Sequence, residues 1–173
     1  TATNNFMLTA QAADGTMKLA RGNNGATTQD IMTVNAAGKV EFPQNVIPAF
    51  RGFVIAASHP NASVITPAIG QDYDLGGDFL NPTISKYQPT VAGYYQINAY
   101  ISFAGLTVNG YIRLDKNGTN TLGGTQGNFY QGQANAFVYL NGSTDFVQLY
   151  TYQSSGAALN CNIEFTGFLA RAA

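Results

Sequence analysis

The chain has 173 residues, of which 10% are charged, and its formal net charge is -1. Charged residues make up roughly a quarter of a typical soluble domain, so a monomer of this composition would have little charge to keep it in solution. The near-zero net charge gives no electrostatic reason to bind nucleic acid or anionic lipid. With 19 Gly, 11 Phe and 10 Tyr, the composition predicts a β-rich protein that hides much of its surface in an assembly.

The beginning of the chain predicts short β elements. Met32 and Val34 alternate with polar residues on one side of a turn, and Val40 and Phe42 alternate on the other side. This pattern predicts a small hairpin, which has too little apolar surface to fold by itself. The first ten residues, TATNNFMLTA, include neither an initiating Met nor a signal peptide, so we expect a fragment of a longer chain. The sequence contains no apolar run of about 18 residues, so it predicts no membrane-spanning helix.

A domain boundary is predicted where two prolines follow the hairpin. Pro43 and Pro48 indicate a linker near 43–49. We therefore expect a short β shaft or neck over residues 1–48 and a main domain over residues 49–173.

The main domain shows β periodicity throughout. Short β-branched and aromatic runs recur, and few segments run ten residues without Gly, Pro or an Asn/Thr cluster. These runs predict strands near 92–105, 110–116, 134–140, 145–153 and 160–170. Asn-Gly dipeptides at Asn109, Asn117 and Asn141 favour tight hairpin turns. The sequence therefore predicts an all-β fold.

The stretch TVAGYYQINAYISF (90–103) predicts a strand with aromatic rings on both faces. Tyr95, Ile97 and their alternate neighbours form an apolar face. The opposite face is polar, yet it carries the large rings of Tyr94 and Tyr100. Those two rings need a partner that the core of the same chain does not supply.

The segment GGDFLNPTISKYQPTVAGYYQINAYISF (76–103) resembles the central block of the C1q-like domain, a jelly roll shared in outline with tumour necrosis factor. YIRLDKNG (111–118), NAFVYLNGSTDFVQLYTYQ (135–153) and IEFTGFLA (163–170) are similar to later blocks of that family, in the same order. The usual Gly-Asp turn is stretched here to Gly142-Ser-Thr-Asp145. The resemblance covers about residues 50–170. It implies a jelly-roll sandwich and a homotrimer in which one sheet of each protomer faces the threefold axis.

A second likeness lies in the predicted neck, residues 1–48. MTVNAAGKVEFPQNV resembles short β motifs in the tail fibres and other appendages of bacteriophages. Together the two likenesses imply a phage fibre with a jelly-roll tip. The tip would belong to the virion, at an extracellular appendage, with the rest of the fibre N-terminal to residue 1.

The trimer offers a physical explanation for the outward-facing tyrosines. Tyr buries a large area and still satisfies its hydroxyl, so it suits a subunit boundary. The predicted interface residues come from two alternating strands: Tyr94, Gln96, Asn98, Tyr100, Phe146, Gln148, Tyr150 and Tyr152. Alternatively, some of these rings stack against sugar rings in a glycan site, where neighbouring Asn and Gln supply hydrogen bonds.

Two polar loops, 57–76 and 119–134, are predicted to contact a host receptor, either a glycan or a protein. Aromatic and amide residues lie among glycines there, and binding residues concentrate on loops. The candidates are Tyr73, Asn128, Phe129, Tyr130 and Gln131. The second of these loops has an alternative interpretation as a flexible connection.

Catalysis finds little support in the sequence. His59 is the only histidine, and no nucleophile motif accompanies it. Cys161 is alone, so it predicts a packed thiol and no intrachain disulfide. Spacing in the sequence does not show that any two carboxylates converge for glycoside cleavage, for which the candidates are Asp72, Asp74, Asp78, Asp115, Asp145 and Glu164. We expect a protein that is not an enzyme.

No cofactor is expected, although one loop contains candidate calcium ligands. Asp72, Asp74 and Asp78 lie in QDYDLGGD, and carboxylate oxygens suit calcium. A solvated turn is the favoured interpretation, because the loop lacks a known calcium-binding pattern. Asn-x-Ser/Thr triplets begin at Asn61, Asn117 and Asn141. Turn geometry explains the second and third without glycosylation.

The sequence thus favours a trimeric phage tip that binds a receptor on the host surface, probing it with three copies at once. Two alternatives keep the fold. In one, the domain only holds three chains in register and caps a fibre on the head or tail of the virion. In the other, the chain is a bacterial surface or spore protein. A polysaccharide depolymerase is the least favoured function.

Overall fold

The structure is a computed structural model that describes residues 5–11, 16–23, 26–34, 36–41, 47–80 and 84–173. All of its regular elements are β-strands, which confirms the predicted all-β class. The chain divides into two compact units, Thr1–Val46 and Ile47–Ala173. Within the described ranges, no helix has the length and hydrophobicity that a membrane span needs.

The first unit contains one four-stranded antiparallel sheet in which the strands are neighbours in chain order. Its strands are β1 (Asn5–Gln11), β2 (Thr16–Asn23), β3 (Ala26–Val34) and β4 (Val40–Glu41). Val34 pairs with Val40, so the hairpin expected between them is present. Phe42 and most of the linker expected at 43–49 lie outside the described residues.

The second unit is a sandwich of two five-stranded sheets. The first sheet has the order β12-β9-β14-β5-β6, and its strands are β5 (Ala49–His59), β6 (Gly70–Leu75), β9 (Gly93–Phe103), β12 (Gln131–Leu140) and β14 (Leu159–Ala172). The second sheet has the order β11-β10-β13-β8-β7, and its strands are β7 (Phe79–Leu80), β8 (Lys86–Tyr87), β10 (Val108–Lys116), β11 (Asn120–Phe129) and β13 (Val147–Gln153). Every pairing is antiparallel.

The core fills the space between the two sheets. Every second residue of β9 and β12 is buried, as the alternation in the sequence predicts for strands with one inward face. At one end of the core, the Phe50 ring stacks on Tyr87 with centroids 4.2 Å apart and meets Phe165 edge-on at 4.9 Å. Such aromatic contacts add about 0.5–1.5 kcal/mol each beyond the area that they bury.

The three Asn-Gly dipeptides have three different structures. Asn117 and Gly118 both have positive φ, 55° and 74°, and form the predicted hairpin turn between β10 and β11. The turn predicted at Asn109 is wrong, because Asn109 and the next glycine lie inside β10. That glycine lets two backbones approach, since a Cβ there would lie 2.2 Å from the Tyr152 carbonyl oxygen.

The third dipeptide begins a connection between the sheets, not a hairpin. β12 belongs to the first sheet and β13 to the second. The Asn141 side chain stabilises the connection, because its Oδ1 accepts hydrogen bonds from the backbone N–H groups of Ser143, Thr144 and Asp145. The following Gly142 has a φ of 69°.

The loop predicted over 119–134 is also wrong. Asn120–Phe129 and Gln131–Leu140 are strands, and only Tyr130 separates them. The sequence of β11, NTLGGTQGNF, has low β propensity, so its conformation comes from pairing with β10 along nearly its whole length.

Gly142 gives a test of the connection between the sheets. A Cβ at Gly142 would lie 2.4 Å from the backbone nitrogen of Ala92, whereas one at Gly118 would meet nothing closer than 3.8 Å. The φ values are similar, so backbone strain should destabilise each Ala variant by about 1 kcal/mol. Because of its steric clash, we expect Gly142→Ala to reduce the free energy of unfolding by about 1–3 kcal/mol more than Gly118→Ala does. Urea denaturation at fixed protein concentration measures this difference, and equal losses would contradict it.

Candidate functional site

The outer face of the first sheet carries an exposed aromatic cluster. Tyr94 on β9 stacks on Phe137 of β12, with ring centroids 5.6 Å apart and planes 13° apart. The Tyr139 ring lies 5.5 Å from that of Tyr94 in a tilted arrangement. Strand register explains the cluster, because Tyr94 is paired with Tyr139, and Phe137 with the next outward residue of β9, Gln96.

Exposed apolar side chains of the second unit concentrate on this face, which we call the aromatic face. Of the described large apolar side chains that are exposed in this unit, eight belong to it: Phe53, Ile55, Tyr73, Leu75, Tyr94, Phe137, Tyr139 and Phe168. The other five lie in loops or turns: Ile47, Val64, Val91, Leu106 and Tyr130. Phe137 is 64% exposed and Ile55 is 71% exposed. A concentration of exposed apolar side chains on one face is typical of an interaction site.

The middle of the aromatic face is polar and partly hollow. Asn98, Tyr100, Asn135 and Glu164 contribute to the lining of a shallow depression of about 190 Å³. Beside it, Arg51 is held in place, since its Nε donates to Glu164 at 2.7 Å.

Arg51 is paired on two sides. Its Nη1 donates to Asp72 at 2.9 Å, and the hydrogen bonds to Glu164 and Asp72 raise the pKa of the Arg51 guanidinium. Each of these three charged groups therefore has a partner within one chain, and together they carry a net charge of -1.

The predicted interface residues lie on two opposite faces of the sandwich. Tyr94, Gln96, Asn98 and Tyr100 alternate outward on β9 in the aromatic face. Gln148, Tyr150 and Tyr152 alternate outward on β13, which lies in the second sheet, and Phe146 directly precedes that strand. The structure therefore does not bring the two groups together.

The tyrosines of the second sheet pack against each other. Tyr111 of β10 stacks on Tyr152 with centroids 5.5 Å apart. The Arg113 guanidinium lies 5.0 Å from the Tyr111 centroid and 5.3 Å from the Tyr150 centroid. Nearby, the Lys86 ammonium lies 3.9 Å from the Phe146 centroid. These rings are only half-buried, but each has a partner within its own chain.

The candidate receptor residues are dispersed. Phe129 is 8% exposed and packs near Phe103 in the core, so its prediction as a contact residue is wrong. Tyr130 is exposed at the tip of the β11–β12 hairpin, between Asn128 and Gln131.

Tyr73 lies elsewhere. It is exposed on β6, the edge strand of the first sheet. The range 57–76 around it is not one loop, because β5 continues to His59 and β6 begins at Gly70.

The sandwich geometry can be compared with solved structures. The chain is similar to the globular domain of zebrafish complement 1qA protein, with 16% identity, a TM-score of 0.56, and coverage of 73% of this chain and 99% of that one. It is also similar to the vertex protein P5 of PRD1, with 18% identity, a TM-score of 0.54, and coverage of 73% and 99%. The second unit has a C1q-like jelly-roll fold. No protein-family model matches the chain, and no curated protein matches it.

Within the C1q-like fold, the two faces of β14 explain what the sequence interpretation missed. Phe165 and Gly167 of the closing motif are buried, while Phe168 is exposed on the aromatic face beside Gln96. Alternation along 163–168 could have identified Phe168. Leu75 could not be assigned in this way, because its position depends on how β6 pairs with β5.

The three aspartates of segment 71–78 have separate roles, and the first two lie on strand β6 and not in the predicted loop. Asp72 pairs with Arg51 on the aromatic face. Asp74 Oδ2 accepts the N–H of Phe79, and Asp78 Oδ1 accepts the N–H of Thr90. Among the described residues, no group of three or more His, Cys, Asp or Glu side chains is placed to hold a metal ion.

Two further polar groups are buried. Asp78 is 1% exposed, and burial raises the pKa of its carboxyl group. Burial also raises the pKa of the Cys161 thiol to about 11, so that sulfur is a packed, protonated group at neutral pH.

His59 is fully buried and has two hydrogen-bond partners. Its Nδ1 lies 2.9 Å from the Pro60 carbonyl oxygen, which can only accept, so Nδ1 carries the proton. Its Nε2 then accepts from the Thr151 hydroxyl at 3.0 Å. Both nitrogens of the neutral ring are used, and the ring cannot reach a substrate in this position.

Burial lowers the pKa of His59 below its usual value of about 6.5. The unfolded chain therefore binds a proton more readily, and stability falls as pH decreases from about 6.5 toward the lowered pKa. Across that window we expect the free energy of unfolding of wild type to fall by up to about 1.4 kcal/mol for each unit by which the pH decreases, because of this group. His59→Gln should be less stable at pH 8 but should lack this part of the pH dependence. Urea denaturation between pH 8 and pH 5 measures it, and parallel curves for the two proteins would contradict the assignment.

Proposed function

We propose that the chain is the non-enzymatic, trimeric tip of a phage fibre or spike, and that it binds a receptor on a bacterial surface. The observation that carries the proposal is the aromatic face, an exposed apolar surface on a chain with only 10% charged residues. In this account residues 1–48 form a neck, residues 49–173 form the head, and the protein belongs to a virion appendage.

A second copy of the chain is the occupant that best suits the aromatic face. The large rings at one end, such as Phe137 and Phe168, supply apolar contact area. In the middle, Arg51 is already paired with Glu164 and Asp72, so covering it leaves no unpaired arginine. Interfaces with aromatic residues and few unpaired charges are typical of stable association. The resemblance to C1q-like domains implies that the association is a trimer.

Receptor binding is supported by what the trimer would leave accessible. Covering the aromatic face leaves the outer face of the second sheet free, with its half-buried tyrosines and Arg113. Three copies would face the same bacterial surface, so weak single contacts would give useful avidity. The similarity in fold to the PRD1 vertex protein is compatible with a place on a virion.

A charge in the aromatic cluster tests both parts of the proposal. We expect wild type to have three times the chain mass of 18.4 kDa in light scattering, and to bind at least one member of a panel of immobilised bacterial capsular polysaccharides and lipopolysaccharides. Phe137→Asp places a charge among the stacked rings, so it should be monomeric and should lose about 100-fold or more in apparent affinity. Leu106→Asp is the matched control, because Leu106 is also exposed and apolar but lies outside the face.

The outcomes separate assembly from recognition. A monomeric wild-type chain would contradict the trimer. A wild-type trimer that binds neither a member of the panel nor intact bacterial cells would contradict the receptor role and would favour a structural cap.

A further inference from the structure

A groove runs along the outer face of the second sheet, beside the glycine-rich strand β11. Its volume is about 280 Å³, and we call it the β11 groove; it is lined by Tyr111, Ile112, Arg113, Thr121, Gly124, Thr125 and Gln126. Gly124 is paired with Arg113. A Cβ at Gly124 would lie 2.2 Å from the Ile112 carbonyl oxygen. Glycine is therefore required there, and no side chain fills the groove beside Arg113.

Arg113 is fixed in place at the edge of the groove. Its guanidinium lies against the rings of Tyr111 and Tyr150, and its Nε is 3.1 Å from Asp115 Oδ2. Asp115 itself is buried and accepts a hydrogen bond from the Thr121 hydroxyl. Within the described residues, the structure records no protein acceptor for the Arg113 Nη atoms. These donors are therefore pre-positioned and available to a ligand.

The lining favours one class of ligand. A planar guanidinium with free donors matches a carboxylate in a bidentate hydrogen bond. Tyr111 is in contact with Tyr152 and Arg113, and the part of its ring that lines the groove offers an apolar surface to a sugar ring. The exposed Gln126 amide can form hydrogen bonds to hydroxyls. None of the lining residues is acidic, and the carboxylate beside Arg113, that of Asp115, is buried and hydrogen-bonded to Thr121. The volume is just below the usual range for small-molecule sites, about 300–1,000 Å³, so it suits a single sugar residue.

We propose that the β11 groove is a carbohydrate site that binds a sugar acid, with its carboxylate on Arg113 and its ring against Tyr111. The inference rests on the proposed function and names the receptor chemistry and its place. The groove lies on the sheet opposite the aromatic face. A cyclic trimer also buries a second surface of each protomer, and the inference places that second surface outside the groove.

Saturation-transfer NMR on the full chain tests this site with methyl β-D-glucuronide and methyl β-D-glucoside, which differ only in the carboxylate. We expect the glucuronide to bind with a dissociation constant of about 1 mM, as a ligand of this size allows, and the glucoside to bind at least about tenfold more weakly. Tyr111→Ala should reduce glucuronide binding about tenfold, because it removes the stacking surface. Tyr111→Phe keeps the ring and should retain most of the binding.

A pair of surface substitutions keeps the test independent of folding. Gln126→Glu places a like charge at the edge of the groove and should weaken glucuronide binding, while Gln126→Lys should strengthen it. Ala68→Glu is the control, because Ala68 is exposed in the loop before β6, away from the lining of the groove. Equal binding of both sugars, no binding of either, or no response to the Gln126 pair would each overturn the proposal.

The polysaccharide panel separates this inference from the proposed function. If wild type is trimeric and binds the panel but Tyr111→Ala and Gln126→Glu bind it equally well, the receptor site lies elsewhere and only the groove proposal fails. If wild type binds the glucuronide but no bacterial polysaccharide, the groove stands and the receptor role fails.

Discussion

The structure depends on one constraint: a β-sheet has two faces, and the core of a two-sheet sandwich covers only the inner face of each. Phe50, Tyr87, Phe165 and the other inward residues fill the space between the sheets. The environment of the apolar side chains on the outer faces then decides whether the second unit can exist as a monomer. In this chain the aromatic side chains on the two outer faces differ in how far they are covered within the protomer.

On the outer face of the second sheet the aromatic rings pack against each other and against Arg113. Tyr111 stacks on Tyr152, and Arg113 lies against Tyr111 and Tyr150, so none of the described large apolar side chains on that face is exposed. On the first sheet Tyr94, Phe137 and Tyr139 also contact each other, yet all three stay exposed. The same residue type therefore has two environments. The rings on one face are partly covered within the chain, and those on the other face stay exposed in a single protomer.

Alternation along single strands could be predicted from the sequence, because it depends only on the period of two. It placed Tyr95 and Ile97 in the core and Tyr94 and Tyr100 outside, as the structure shows. The C1q-like fold could also be predicted, because several separate segments resemble blocks of that family in the same order. The Asn117-Gly118 turn was also predictable, since both residues tolerate positive φ.

Features that depend on pairing between distant strands could not be predicted in this way. Nothing in β13 alone shows that Tyr150 and Tyr152 belong to the sheet opposite Tyr94. Strand β11 cannot be recognised from its own sequence, because its glycines, which fit against β10 and β12, have low intrinsic β propensity. For the same reason the sequence could not reveal the β11 groove, which exists only where Gly124 lies beside Arg113.

The central claim is that a second copy covers the aromatic face, and hydroxyl-radical footprinting of the dilute wild-type chain tests it most directly. Within one protomer Phe137 is 64% exposed and Leu106 is 50% exposed, so both side chains would be oxidised readily in a monomer. The account predicts that Phe137, Tyr94 and Tyr139 are strongly protected, while Leu106 reacts as its exposure implies. Oxidation of Phe137 at the rate of a freely exposed ring would contradict it.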